Sequence, residues 1–486
     1  MRTLGGRTSA SIVAAMALAL SGTAMATNGY FTHGVGAESK GMAGTGIGSN
    51  ADMGAIMTAS NPALGVFVSD RWEAGLSIFS PRRSYEALNA GSGGNPIDLG
   101  GGLFLPTHSI TPGKIDSSSE YFPIPYLAKN WSTDAGGNIT LNFYGRGGMN
   151  TDWDDSNSSA TSVFCWNPQR DGFPQRPING PGPFCAGEAG VDLSQAFLGV
   201  TYSAKITDNF AFGAGPIFAV QAFEAKGVAT FIPFTEVYQP TVDPDTGFGD
   251  PSVVTSLSDN GHDIATGFGF ELGFWWGLSD AVSVGLAYQS EISMGKFDDY
   301  SDLFAEDGGF DIPSSIKAGI SFVTSDKLRL NVDVERTAFS DVASVGNPMS
   351  NLFRCSAFAP FAPPGSTNPS FCLGGDNGAG FGWDDMTTYK LGLEYAANDN
   401  NTFRLGWSNG EQPIQGDDVL FNILAPGVME QHFTFGWTRR QSNGRQLTMS
   451  LMYAPESKVT GTSAFDPAQQ IKLSMSQLEF EVSYRW

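Results

Sequence analysis

The stretch QLEFEVSYRW, residues 477–486, decides the fold. Leu478, Phe480, Val482, Tyr484 and Trp486 alternate without error against Gln477, Glu479, Glu481, Ser483 and Arg485. A period of two is the signature of a strand with one apolar and one wet face. Terminal segments usually fray. A strand this regular, finishing on an aromatic residue, implies that its edges are paired.

The pattern recurs upstream in RWEAGLSIFS, NITLNFYG, DAVSVGLAYQS, RLNVDVER, YKLGLEY, TFRLGWS, HFTFGWTRR and LTMSLMYAP. Less regular strands are expected near 121–128, 194–204, 208–223, 262–276 and 315–323. The total is about fourteen, an even number, as expected of a closed antiparallel barrel in a bacterial outer membrane. Connections follow a second rhythm. Those near 131–137, 207, 278–281, 324–328, 396–402 and 441–446 are short. Those at 145–193, 224–261, 292–314, 339–385, 409–429 and 455–474 are longer. Short turns at one end and long loops at the other are the habit of an up-and-down barrel.

A soluble β-sandwich also alternates apolar and polar residues. Here the polar face includes Lys317, Arg329, Asp333, Glu335, Glu394 and Arg404 at mid-strand. A sandwich core could not bury so many charges cheaply, whereas a polar lumen can hold them. Closure also explains the regular last strand, because an open edge in lipid leaves backbone groups unpaired.

Residues 1–26 read as a signal peptide. Arg2 and Arg7 precede a short apolar run at 12–20, and TAMA ends at Ala26. The run is short of the roughly 20 residues that a spanning helix needs. The mature protein is thus expected outside the cytoplasm, as a multi-pass protein of a Gram-negative outer membrane. Residues 69–486 are assigned to the barrel. The net charge of −22 argues against a nucleic-acid partner, which would repel it. Cys165, Cys185, Cys355 and Cys372 form two local clusters. In an exported chain the simplest pairing is Cys165–Cys185 and Cys355–Cys372, one of three possible connectivities. Neither cluster has the close spacing of a zinc site, so no metal is assigned. The acid-rich stretches DPDTGFGD and KFDDYSD match a calcium loop only loosely and read as solvated loops.

Residues 27–68 do not alternate. The segment is rich in glycine, and MGAIMTASNPAL is too apolar for a solvated tail. It reads as a plug, or hatch, with short helices packed inside the barrel. Its sequence, NGYFTHGVGAESKGMAG followed by Asn61, Pro62 and Ala63, resembles the N-terminus of FadL-like outer-membrane transporters of long-chain fatty acids and hydrocarbons. The resemblance continues through DLSQAFLGVTYSAKITDNFAFGAGPIFAVQAFEAKG, GLAYQSEISMGKF, FDIPSSIKAGISF and LAPGVMEQHFTFG, nearly the whole mature chain. The two cysteine pairs are not a general feature of that family.

The resemblance implies a fourteen-stranded barrel plugged by an N-terminal hatch, with hydrophobic molecules leaving through an opening in the wall. The opening is a kink in the third strand. Here the matching stretch is LNFYGRGGMN, in which Gly145, Gly147 and Gly148 interrupt the strand and permit a bulge. The expected function is downhill uptake of long-chain fatty acids. Alkanes or aromatic hydrocarbons are the alternative, and a non-transporting receptor or adhesin barrel is a further one. Lys317, Arg329 and Arg404 are candidate lumen anchors for a carboxylate, by strand phase. Two loops could capture substrate or touch lipopolysaccharide. One carries Phe164, Trp166, Phe173 and Phe184, the other Leu352, Phe353, Phe358, Phe361 and Phe371. No cofactor is implied, and a plugged single barrel needs no partner subunit. There is no H-E-x-x-H or G-x-S-x-G, so no enzyme is expected.

Overall fold

The computed structural model describes residues 28–100, 103–134, 136–165, 177–243, 245 and 249–486. The leader assigned to 1–26, part of the acid-rich stretch at 243–250, and Trp166 and Phe173 lie outside the described residues. Fourteen antiparallel strands form the wall. The first five are β1 (Trp72–Ala87), β2 (Phe122–Ser132), β3 (Gly137–Trp153), β4 (Ala189–Thr207) and β5 (Phe210–Lys226). They are followed by β6 (Asp263–Gly277), β7 (Val282–Gln289), β8 (Ser315–Ser325), β9 (Leu328–Thr337) and β10 (Met386–Asn398). The last four are β11 (Asn401–Gly410), β12 (Gln431–Arg440), β13 (Gln446–Ser463) and β14 (Asp466–Arg485). Each pairs with the next, and β1 pairs with β14 from Glu73↔Arg485 to Ala87↔Ile471, which closes the barrel.

The alternation read in the sequence is the division between lipid and lumen. On β14 and the residue that follows it, Leu478, Phe480 and Trp486 are 49%, 43% and 46% exposed. Gln477, Glu479, Glu481, Ser483 and Arg485 are all buried. The apolar face meets acyl chains, where it gains from leaving water and needs no partner. The polar face has to find partners inside.

One connection departs from expectation. Residues 455–474 are not a long loop. β13 and β14 continue past the wall and turn over residues 464–465. Here the Glu456 and Lys458 side chains are 48% and 50% exposed and pair with each other. Above the lipid, neither face needs to be apolar, so the ladder continues without an alternating sequence.

Residues 28–68 pack inside the barrel. They form a short helix, Ala37–Lys40, and two 3-10 turns, Ala55–Ala59 and Pro62–Phe67. The inner face of β14 meets the hatch with charge. Lys40 Nζ lies 2.5 Å from Glu479 and 2.6 Å from Glu481, and Arg485 lies 2.5 Å from Glu38. These charges are desolvated, so each matters mainly through what its loss would strand.

Candidate functional site

Asn61 is the N-cap of the Pro62–Phe67 turn. Its Oδ1 accepts from Ala63 N at 3.0 Å, and Pro62 occupies the first helical position, where its missing N–H costs nothing. Its Nδ2 donates to Ile47 O at 2.8 Å and to Phe274 O of β6 at 3.1 Å. One amide thus ties two hatch segments to the wall. The wall answers with glycine. Gly213 and Gly273 face each other on β5 and β6. A Cβ on Gly213 would come within 2.3 Å of Pro62, and one on Gly273 within 2.1 Å of Asn61 Oδ1. The pattern of the triplet marked the motif, but not the two wall positions that receive it.

The third strand is interrupted at the expected glycines. On β4, Gln195 pairs with Gly147 and Ala196 with Gly145, so Arg146 is the extra, bulged residue. On the other edge of β3, the ladder to β2 ends at Tyr126↔Tyr144. Beyond it β2 reads Phe122-Pro123-Ile124-Pro125, and proline cannot donate to a ladder. The chains meet again only where Ser118 N donates to Asp152 O at 3.0 Å. In between, the hatch takes the empty edge. Thr32 N donates to Arg146 O at 2.9 Å, Gly148 N donates to Tyr30 O at 2.9 Å, and Phe31 bridges Gly147. The wall therefore has a gap between β2 and β3 that is stoppered by hatch residues 30–32.

An apolar pocket lies among β4, β5 and the long loops. Val191, Phe223, Phe231, Phe304, Phe381 and Phe421 contribute to its lining. Aromatic contacts run from it to the gap. Phe304 packs on Phe310 at 4.9 Å, Phe310 on Tyr30 at 6.3 Å, and Tyr30 on Phe31 at 4.6 Å between ring centroids. Phe31 in turn lies under the Arg146 guanidinium at 4.6 Å.

The loop aromatics form a roof. Phe164 and Phe358 both pack on Phe234, at 5.0 and 5.3 Å, and Phe184 packs on Phe231 at 5.5 Å. Leu352 is fully buried, Phe353 packs on Phe358, and Phe371 stacks on Arg354. Cys165 is joined to Cys185 and Cys355 to Cys372, one bridge in each of the two loops.

The three candidate anchors are not brought together. Arg404 is spent on the hatch: it lies 2.7 Å from Glu38 and 2.8 Å from Glu394, and donates to Thr438 at 2.5 Å. Arg329 donates to Ser49 at 2.6 Å and to Asn50 at 2.9 Å. Lys317 is buried and lines a small polar pocket between hatch and wall. There Arg146, Lys317 and Lys390 converge on one carboxylate, Glu335, at 3.1, 3.6 and 2.7 Å. Arg146 and Lys390 were not singled out in the sequence. For Arg146 the available signal was a cation set among glycines inside a strand.

Solved structures with this architecture include the P. putida toluene transporter TodX, at 16% identity and a TM-score of 0.60, covering 93% of this chain and 98% of that one. A Pseudomonas aeruginosa FadL homologue matches at 15% identity with a TM-score of 0.58, covering 94% and 99%. The Ralstonia pickettii toluene transporter TbuX matches at 16% with a TM-score of 0.53, covering 93% and 98%. At these identities the likeness is one of fold. No curated protein matches the sequence. The family described as "Outer membrane protein transport protein (OMPP1/FadL/TodX)" matches residues 180–482, well over half of the chain. With its plugged fourteen-stranded wall, this chain belongs to that family of outer-membrane transport proteins for hydrophobic substrates.

Proposed function

We propose that the protein takes up long-chain fatty acids, or amphiphiles like them, by downhill passage from the outer face into the bilayer through the gap between β2 and β3. The observation that carries this reading is continuity. The apolar pocket is linked to the stoppered gap by the Phe304–Phe310–Tyr30–Phe31 row of ring contacts, which supports a route between them. An acyl chain gains about 0.8 kcal/mol for each CH₂ removed from water, so an apolar cavity captures it without specific contacts. Release needs the hatch to yield residues 30–32 from β3.

Neutral hydrocarbons are the second reading, favoured by a cavity lining without any charged side chain. The test is uptake of labelled oleate, decane and toluene by cells lacking their own fatty-acid transporter. Native protein is compared with a chain from which Arg146 is deleted, which returns β3 to register. Oleate entry lost on deletion, with the barrel folded, supports passage through the gap. Entry unchanged by the deletion would remove the gap from the path, and entry of hydrocarbon alone would change the substrate.

A further inference from the structure

Arg83 is a cation that the path just described does not use. It lies on β1, opposite Met475 of β14, and is only 3% exposed. Neither terminal nitrogen has a hydrogen-bond partner among the described residues. Its neighbour in space is the ring of Phe122, 5.8 Å from the guanidinium carbon. Three other arginines of the lumen meet carboxylates: Arg146 meets Glu335, Arg404 meets Glu38 and Glu394, and Arg485 meets Glu38, while Arg329 donates to Ser49 and Asn50. A buried, uncompensated guanidinium is costly unless an anion arrives to meet it.

The surroundings say where such an anion would come from. Arg83 borders a small void, no larger than a water molecule while the hatch is docked, shared with Met149, Asn150, Trp383, Pro426 and Gly427. Met149 and Asn150 belong to the part of β3 that β2 leaves unpaired, so the cavity sits on the inner lip of the wall gap. Asn150 Oδ1 is also buried without a partner. Trp383 packs on Tyr30 at 5.8 Å, which joins the cavity to the aromatic row. The next residue, Arg82, points outward and pairs with Glu120 and Tyr121, whereas Leu76 and Ile78 lower on β1 face lipid.

We propose that Arg83 is the head-group receptor of the wall gap, taking the carboxylate of a single-chain anionic amphiphile as its tail turns from the aromatic row towards the bilayer. A guanidinium suits a carboxylate because it can donate two parallel hydrogen bonds. One cation in an otherwise uncharged lining matches one negative charge, which favours a fatty carboxylate over a phosphorylated head. This assignment rests on the transport reading above and narrows its substrate to an anionic amphiphile.

The test compares binding of radiolabelled oleate and oleyl alcohol to the full-length protein in nanodiscs of neutral lipid. Native protein, Arg83→Lys and Arg83→Met are measured, with heat-modifiability on gels confirming a folded barrel. Arg83→Met should weaken oleate by about tenfold or more and leave oleyl alcohol unchanged, with Arg83→Lys between. An unchanged oleate-to-alcohol ratio, or equal loss of both, overturns the assignment. Native protein that binds the alcohol and not oleate overturns the assignment alone. Native protein that binds neither overturns the transport reading with it.

Discussion

Arg485 of β14 meets Glu38 of the hatch at 2.5 Å, across 447 positions of sequence. The same guanidinium lies 3.6 Å from Glu73 of β1 and 3.5 Å from Asp52 of the hatch. The two strands that close the barrel and the plug that fills it therefore share one buried ion cluster.

Removing one member should release the plug rather than the wall. Arg485→Met leaves Glu38, Glu73 and Asp52 short of a cation, at a cost of about 3–5 kcal/mol. The wall keeps its ladder. The variant should stay heat-modifiable and show frequent open events in planar bilayers where the native protein is quiet. The double variant with Glu38→Gln should be less open than Arg485→Met alone, because one stranded charge is gone. Silent channels in Arg485→Met would show that the cluster does not hold the hatch.

Asn61→Ala removes a cap and two donated hydrogen bonds, each worth about 1–3 kcal/mol when the buried partner is left unmet. Substrate uptake should fall severalfold with folded barrel retained. Gly273→Ala should reproduce that phenotype from the wall side, since its Cβ would displace the same amide. Normal uptake in both variants would show that the triplet does not govern the hatch.

Peptide mapping under non-reducing conditions should recover Cys165 linked to Cys185 and Cys355 linked to Cys372. Replacing Cys355 and Cys372 by serine frees a loop whose closure is worth about 3 kcal/mol in the chain-entropy account. Protease should then cut the roof at lower temperature while the barrel remains intact. A bridge between the two loops would contradict the fold of the roof.

Acidification should loosen the hatch. His33 is buried, and its ring is held well below its ordinary value of 6.5 by burial, then by Lys40, then by Lys390. It stacks on His432 at 5.7 Å, with Glu479 at 3.4 Å. The undocked hatch binds this proton more readily than the docked one. Docking is thus at full strength above about pH 6.5 and weakens as pH falls below it. Protection factors of the amides of residues 28–68, corrected for the intrinsic pH dependence of exchange, should fall on that side only, and His33→Asn should flatten the slope. Equal protection at pH 5 and pH 8 would count against it.

The lipid-spanning wall was legible because lipid imposes a rule on every strand. Leu478 and Phe480 on one side and Glu479 and Glu481 on the other are forced by the two solvents. Where that rule stops, legibility stops. The upper part of the β13–β14 hairpin carries no alternation, and residues 455–474 read as a loop although they remain paired. Strand phase also shows that Arg329 and Arg404 face inward, but not whom they meet. Both proved to be hatch contacts, while Arg146, hidden in a quoted glycine run, joins Lys317 beside the polar cavity. Partners 280 or 366 positions away, as for Arg329 with Ser49 and Arg404 with Glu38, leave no local trace.

The buried cluster has one more consequence. A slip of β14 against β1 by a single residue would turn Glu479, Glu481 and Arg485 into lipid and bring Phe480 and Val482 inside. Lys40 would then lose both of its counter-charges and Glu38 one of its two, and the hatch would seat poorly. The plug is therefore a gauge of alignment: only a wall zipped in the correct frame can be stoppered tightly, and a misaligned one stays a leaky ring.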